Sequence, residues 1–212
     1  MKKMCLVVLS TLSLTACKPD VDVKLSTEDL IEVANTGASQ LVSFDARIEE
    51  KYTTIDDEKR AEVKAISQII ETYFEDSEVD VTYGSSGFEI EIEGELELVS
   101  NGSSVKAPWY FSVSKGEDGQ HLVSQKRSAV WDVFARELKG VSFMAAPKEF
   151  LPVNIKLKNE GGALYVGGAV LDGEFLPGFA EIALDGSRVN LNFDGDHWEN
   201  APAAFLFKEP EE

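Results

Sequence analysis

Phe88-Glu89-Ile90-Glu91-Ile92-Glu93-Gly94-Glu95-Leu96-Glu97-Leu98-Val99 is the stretch that decides the fold. Apolar and acidic residues alternate along it at period two, the period of a strand with one face in a core and the other in water. Upstream, Val79 to Tyr83 alternates in the same way, and Gly84 to Gly87 between the two runs supplies turn residues. The two runs read as a hairpin, and Trp109 to Val113 reads as a third strand that completes a meander.

Working outward, Val21 to Leu25 and Leu41 to Ile48 carry the same alternation and read as strands. Between them Ser26-Thr27-Glu28-Asp29 offers an N-cap and early acids ahead of Leu30, Ile31 and Ala34, so a short helix is expected, closed near Gly37. Asp56 to Phe74 is the clearest helix, with Ile66, Ile69, Ile70, Tyr73 and Phe74 on one stripe and acids at its positive end. Ser124 to Leu138 reads as the second principal helix, because Val130, Phe134 and Leu138 recur every four residues and Gly140 offers a stop. The last third is punctuated strand: Val153 to Leu157, Leu164 to Leu171, Phe179 to Leu184, Val189 to Phe193 and Ala203 to Phe207. Glu160-Gly161-Gly162, Asp172-Gly173 and Asp185-Gly186-Ser187 stand between them, and Asp-Gly between apolar runs signals hairpins. The expected fold is a single α+β domain over residues 21–208, a mostly antiparallel sheet with two principal helices packed on one face, followed by an acidic tail, 209–212.

The chain has 212 residues and is 43% hydrophobic, enough for a sizeable core. Its 38 acidic residues against 20 basic ones give a formal charge of -18, which repels phosphate backbones and argues against nucleic acid as a partner. No stretch after Cys17 is long, apolar and uncharged enough for a transmembrane helix.

Residues 1–16 read as a secretory signal, with Lys2 and Lys3 ahead of a short apolar run, Leu6 to Leu14. The run ends Leu14-Thr15-Ala16-Cys17, which resembles the bacterial lipobox, and that resemblance implies cleavage before Cys17 and lipidation of its thiol. The alternative is an ordinary signal followed by a chance cysteine. Cleavage would remove Cys5 and both lysines, leaving no free thiol and a charge of -20. Each buried methylene of an acyl chain contributes about 0.8 kcal/mol, so several chains would outweigh repulsion from anionic lipid. In enterobacterial lipoproteins an Asp after the lipidated cysteine holds the protein in the inner membrane. Here Lys18 stands there, which implies an outer-membrane anchor with the domain facing the periplasm. Residues 17–20 form the tether, and Lys18, Pro19 and Asp20 reach about 10 Å.

Three groups are candidates for function. Glu89, Glu91, Glu93, Glu95 and Glu97 would line one strand face at about 6.8 Å intervals. That strip is a solvated sheet face, an edge protected from aggregation by its charge, or a docking strip for a cationic partner such as a basic envelope protein or for weakly held divalent ions, without the convergent oxygen cage that calcium needs. Asp194, Asp196, His197 and Glu199 are the densest set of ligand-type side chains, without the spacing of an EF-hand; a polar turn lidded by Trp198 is the plainer reading. His121 and His197 are the only histidines, and no nucleophile elbow or zinc signature accompanies either. Trp109, Tyr110, Phe111, Trp131 and Phe134 read as core rather than as a ligand cage. Phe143 to Pro147 is either a buried connection or a contact patch. No cofactor is indicated.

Val21 to Leu25 directly after the lipidated cysteine, the Ser26 to Leu30 helix start and the late Leu171-Asp172-Gly173-Glu174 turn together resemble a family of uncharacterised lipoproteins encoded by bacteriophages and prophages. The absence of mid-domain cysteines departs from that pattern. The resemblance implies a phage-linked envelope role, such as blocking a receptor against a second infection, and it supplies no catalytic residue. Binding therefore leads as the functional expectation, with an envelope hydrolase or small-ligand-binding site near His197 as the alternative.

Overall fold

Strand β1 (Asp20–Ser26) buries Val21, Val23 and Leu25 and turns Lys24 to solvent. Ser26 then stops it, because its Oγ accepts the Asp29 N–H at 3.1 Å and donates to the Asp29 carboxylate at 2.6 Å. That cap starts helix α1 (Thr27–Thr36), which ends at Gly37 in the left-handed region, φ +73°. This computed structural model describes residues 20–51, 54–74, 76–100, 105–116, 119–142, 147, 152–158, 161–171, 173–184, 186, 188–193 and 202–209.

The chain continues through β2 (Gln40–Lys51), α2 (Asp57–Tyr73), β3 (Glu78–Gly84), β4 (Gly87–Ser100), β5 (Trp109–Lys115), β6 (Gln120–Arg127) and α3 (Trp131–Val141). It then becomes all strand: β7 (Val153–Lys158), β8 (Gly162–Val166), β9 (Ala169–Leu171), β10 (Glu174–Leu176), β11 (Ala180–Leu184), β12 (Arg188–Phe193) and β13 (Ala204–Lys208). The strands form one sheet in the order β10-β9-β12-β7-β1-β2-β4-β5-β6-β13-β8-β11, with β3 paired to β4 beside that path.

This overturns the expected α+β layering of two principal helices on one sheet face. Of the described residues 54% are strand and 24% helix, and the sheet curls into a nearly closed, barrel-like wall with three helices. Closure depends on one kinked hairpin. Its first arm is β8 followed by β9 and its second is β10 followed by β11, so the two ends of the strand order are halves of the same hairpin. Gly167 and Gly168 make the bend. Gly168 has φ +72° and donates its N–H to Leu176 O at 2.7 Å, and a Cβ at Gly167 would lie 3.0 Å from the Gly178 carbonyl carbon. The run Leu164 to Leu171, expected as one strand, is therefore two.

Other expectations change with the closure. Ser124 to Leu138 is not one helix. β6 occupies its beginning, paired to β5 on one side and β13 on the other, with His121, Val123 and Gln125 buried on alternate positions. The four-residue spacing belongs to α3 alone, which starts only after Ser128 Oγ has accepted the Val130 N–H at 3.3 Å. The β3–β4 hairpin forms as expected, but β5 lies parallel to β4, so there is no meander. β11 and β12 flank Asp185-Gly186-Ser187 without pairing to each other, because β8 takes one and β7 and β9 take the other. Glu174 to Leu176 is a strand the sequence did not announce.

The buried side chains form one cluster. Aromatic rings run through it from Phe111 to Trp109, Phe44, Phe74 and Phe134, with centroids 5.3 to 6.1 Å apart, and join β2 and β5 to the paired helices α2 and α3. Gly94 on β4 sits opposite Phe44, and a Cβ there would come within 2.8 Å of its ring. α1 packs against β1, β4, β5 and β6.

Candidate functional site

β4 places the five glutamates of the strip outside and Phe88, Ile90, Ile92, Leu96 and Leu98 inside, as the alternation requires. The strip is not an edge. β2 pairs with β4 over residues 87–98, and on the other side β3 pairs over 87–93 and β5 over 98–100. Protection of a free edge therefore does not account for the charge at Glu89, Glu91 and Glu93, which have a strand on each side.

Register extends the strip into a field. Glu78, Glu93, Asp45 and Asp22 stand directly opposite one another on β3, β4, β2 and β1, and Asn154 on β7 continues that row. The next row holds Asp80, Glu91, Arg47 and Asp20, and the one after it Thr82, Glu89 and Glu49. Rows repeat at about 6.8 Å along a strand and about 4.8 Å between strands. Both spacings are shorter than the Debye length of about 8 Å at physiological salt, so neighbouring charges act together.

Cations offset part of this field. Lys24 Nζ lies 2.8 Å from Asp45, Lys156 pairs with Asp22, and Asn154 Nδ2 donates to Asp22 at 2.7 Å. The hydrogen bond to Asp45 holds the Lys24 ammonium above its ordinary pKa. Arg47 binds Glu89, and its hydrogen bond holds the Glu89 carboxyl below the usual carboxylate range. Glu97 is structural: its Oε2 accepts the backbone N–H groups of Lys106 and Ala107 at 2.9 and 3.3 Å and fixes the crossover from β4 to β5. Glu91, Glu93 and Glu95 form no ion pair among the described residues and stand exposed.

At the turn end of β3 and β4 a cleft of about 400 Å³ is lined by Glu49, Lys51, Thr82, Ser85, Ser86 and Glu89. Its charges are largely matched, Lys51 to Glu49 at 3.0 Å and Glu89 to Arg47. Arg60 of α2 stacks 4.4 Å over Tyr83, so the helix supports the hairpin from behind.

His121 is fully buried. Its Nε2 lies 2.5 Å from Glu209 Oε1 and its ring stacks on Phe207, while Nδ1 has no partner among the described residues. No group of three or more His, Cys, Asp or Glu is arranged to hold a metal among the described residues. Asp194, Asp196, His197 and Glu199 lie outside the described residues, as do Trp198, Phe143 to Ala146, and Leu14, Thr15, Ala16 and Cys17. Trp109, Phe111, Trp131 and Phe134 are buried core residues.

Comparison with protein-family models, curated proteins and solved structures finds no match for this chain. The field rests on its own geometry. Glu78, Asp80, Asp45, Asp22, Lys24 and Lys156 belong to it and were not singled out from sequence. Each stands at an outward position of its strand, and only the pairing register brings them together.

Proposed function

We propose that the chain is a lipoprotein anchored in the outer membrane through Cys17, with its domain in the periplasm, and that it acts by binding a basic surface of another envelope protein. The observation that carries this reading is the carboxylate field around Glu91, Glu93 and Glu95. Like charges directly opposite one another on a sheet cost stability, and Glu78 and Glu93 face each other on β3 and β4 with no ion pair among the described residues, so that pair is a poor choice for folding alone. A broad acidic face steers a basic partner and raises its encounter rate, and a short lipid tether raises local concentration. The resemblance to phage-encoded lipoproteins favours superinfection exclusion as the biological setting, with an outer-membrane receptor as the partner.

Two measurements separate the parts of this proposal. Palmitate labelling is expected for the wild type and not for Cys17→Ser; equal labelling would remove the anchor. Plating efficiency across a phage panel is expected to fall in cells expressing the protein and to recover with the Glu91→Gln, Glu93→Gln, Glu95→Gln variant. Protection that persists undiminished in that variant would make the field a solvated surface only.

A further inference from the structure

Phe179 is the most exposed large apolar side chain among the described residues, with 78% of its surface in water. Single exposed apolar residues are ordinary. The position of this one in the sheet is what gives it meaning.

Asp22, Asn154, Asn192, Val170 and Phe175 occupy one row across β1, β7, β12, β9 and β10. From that row β1 runs back to Asp20 in the same direction in which β10 runs forward to Leu176. Pro177, Gly178 and Phe179 follow Leu176 immediately and are all exposed. The turn that carries Phe179 therefore leaves the sheet at the edge where β1 begins. Three residues separate Cys17 from Val21, a reach of about 10 Å. The lateral offset between β1 and β10 is four strand spacings, about 19 Å, within the footprint of a domain of this size.

We infer that the 177–179 turn is a second membrane contact, with Phe179 inserted at the lipid interface beside the acyl anchor. The inference rests on the lipoprotein reading above. The occupant is a lipid surface because the chain reaching this edge leads within about 10 Å to the residue that would carry lipid. An aromatic ring at headgroup depth is a favoured interfacial anchor. The exposed neighbours Glu174 and Glu181 and the net charge of the chain disfavour purely electrostatic attachment to anionic lipid, so the contact is apolar. Two points of attachment would also fix which way the domain faces, leaving the acidic field on β2, β3 and β4 in a constant orientation to the membrane.

The lipidated mature chain would have no free thiol, so Phe179→Cys places a single labelling site at the turn. Leu41→Cys, on β2 and 62% exposed, serves as the control beyond the opposite end of β1. Each variant, purified with its lipid and labelled with a polarity-sensitive fluorophore, is incorporated into phosphatidylethanolamine and phosphatidylcholine vesicles that carry nitroxide-labelled lipid. Co-flotation is expected for both, with at least a several-fold stronger quenching at position 179 than at 41. Flotation with equal, weak quenching at both positions would overturn the contact and leave the anchor standing. Failure to float would overturn both. Shielding of the 179 fluorophore without vesicles would assign the turn to a second copy of the chain and overturn the lipid contact.

Discussion

Glu209 and His121 show how a single polar pair holds the last strand in place. The Glu209 carboxylate accepts from the buried imidazole and its backbone N–H donates to Gly119 O at 3.1 Å, so one residue ties the end of β13 to the start of β6. Removing the carboxylate leaves a ring N–H without a partner in an apolar pocket, which costs about 1–3 kcal/mol. Glu209→Ala is expected to lower the stability by that amount in urea denaturation. His121→Phe in the same background should recover part of the loss, because phenylalanine can keep the stack on Phe207 with no polar atom to satisfy. An additive loss in the double variant would show that the pair is not coupled. Sequence reading gave no access to this pair. His121 stood out only as one of two histidines, and Glu209 fell within what reads as a solvated acidic tail.

At the scale of elements, β4 was legible because inward and acidic positions alternate over the eleven residues from Phe88 to Leu98, and the caps of α1 and α2 because Ser26 and Asp56 each accept a backbone N–H from three residues on. β6 was not legible. His121, Val123 and Gln125 alternate over too few residues to compete with the longer four-residue repeat of Val130, Phe134 and Leu138, and only the partners β5 and β13 decide between them. The candidate field was half legible for the same reason: alternation tells which way a side chain faces, and register tells what stands beside it. The glycine bend in the closing hairpin offers a test of element-level control. Gly167→Val forces a side chain against the backbone of Gly178 and Phe179, whose nearest atoms lie 3.0 to 3.2 Å from the added Cβ. It is expected to destabilise by about 1–3 kcal/mol and to speed amide exchange in β9 and β10 before the rest of the sheet. Uniform acceleration across all strands would mean that the hairpin is not a separately opening unit.

For the whole molecule, the notable connection is between β1 and β7, which lie side by side and parallel, as in Asp22 beside Asn154. β1 has β2 on one side and β7 on the other, so a chain that stops at residue 142 presents β1 with an open edge and loses the second half of the wall. Such a fragment is expected to form soluble aggregates by size-exclusion chromatography and to lack a cooperative urea transition. A monomeric fragment with a sharp transition would show that the first six strands and three helices fold on their own.

That long-range pairing also sets a clock on biosynthesis. The Asp22 and Asn154 positions are 132 residues apart, and at 5–20 residues per second a ribosome needs about 7 to 26 s to make that interval. For most of it the first strand is outside the ribosome while the strand that completes it does not yet exist. Strand β1 therefore keeps one backbone edge unpaired for most of the chain's own synthesis, and the wall shuts only after that interval has passed.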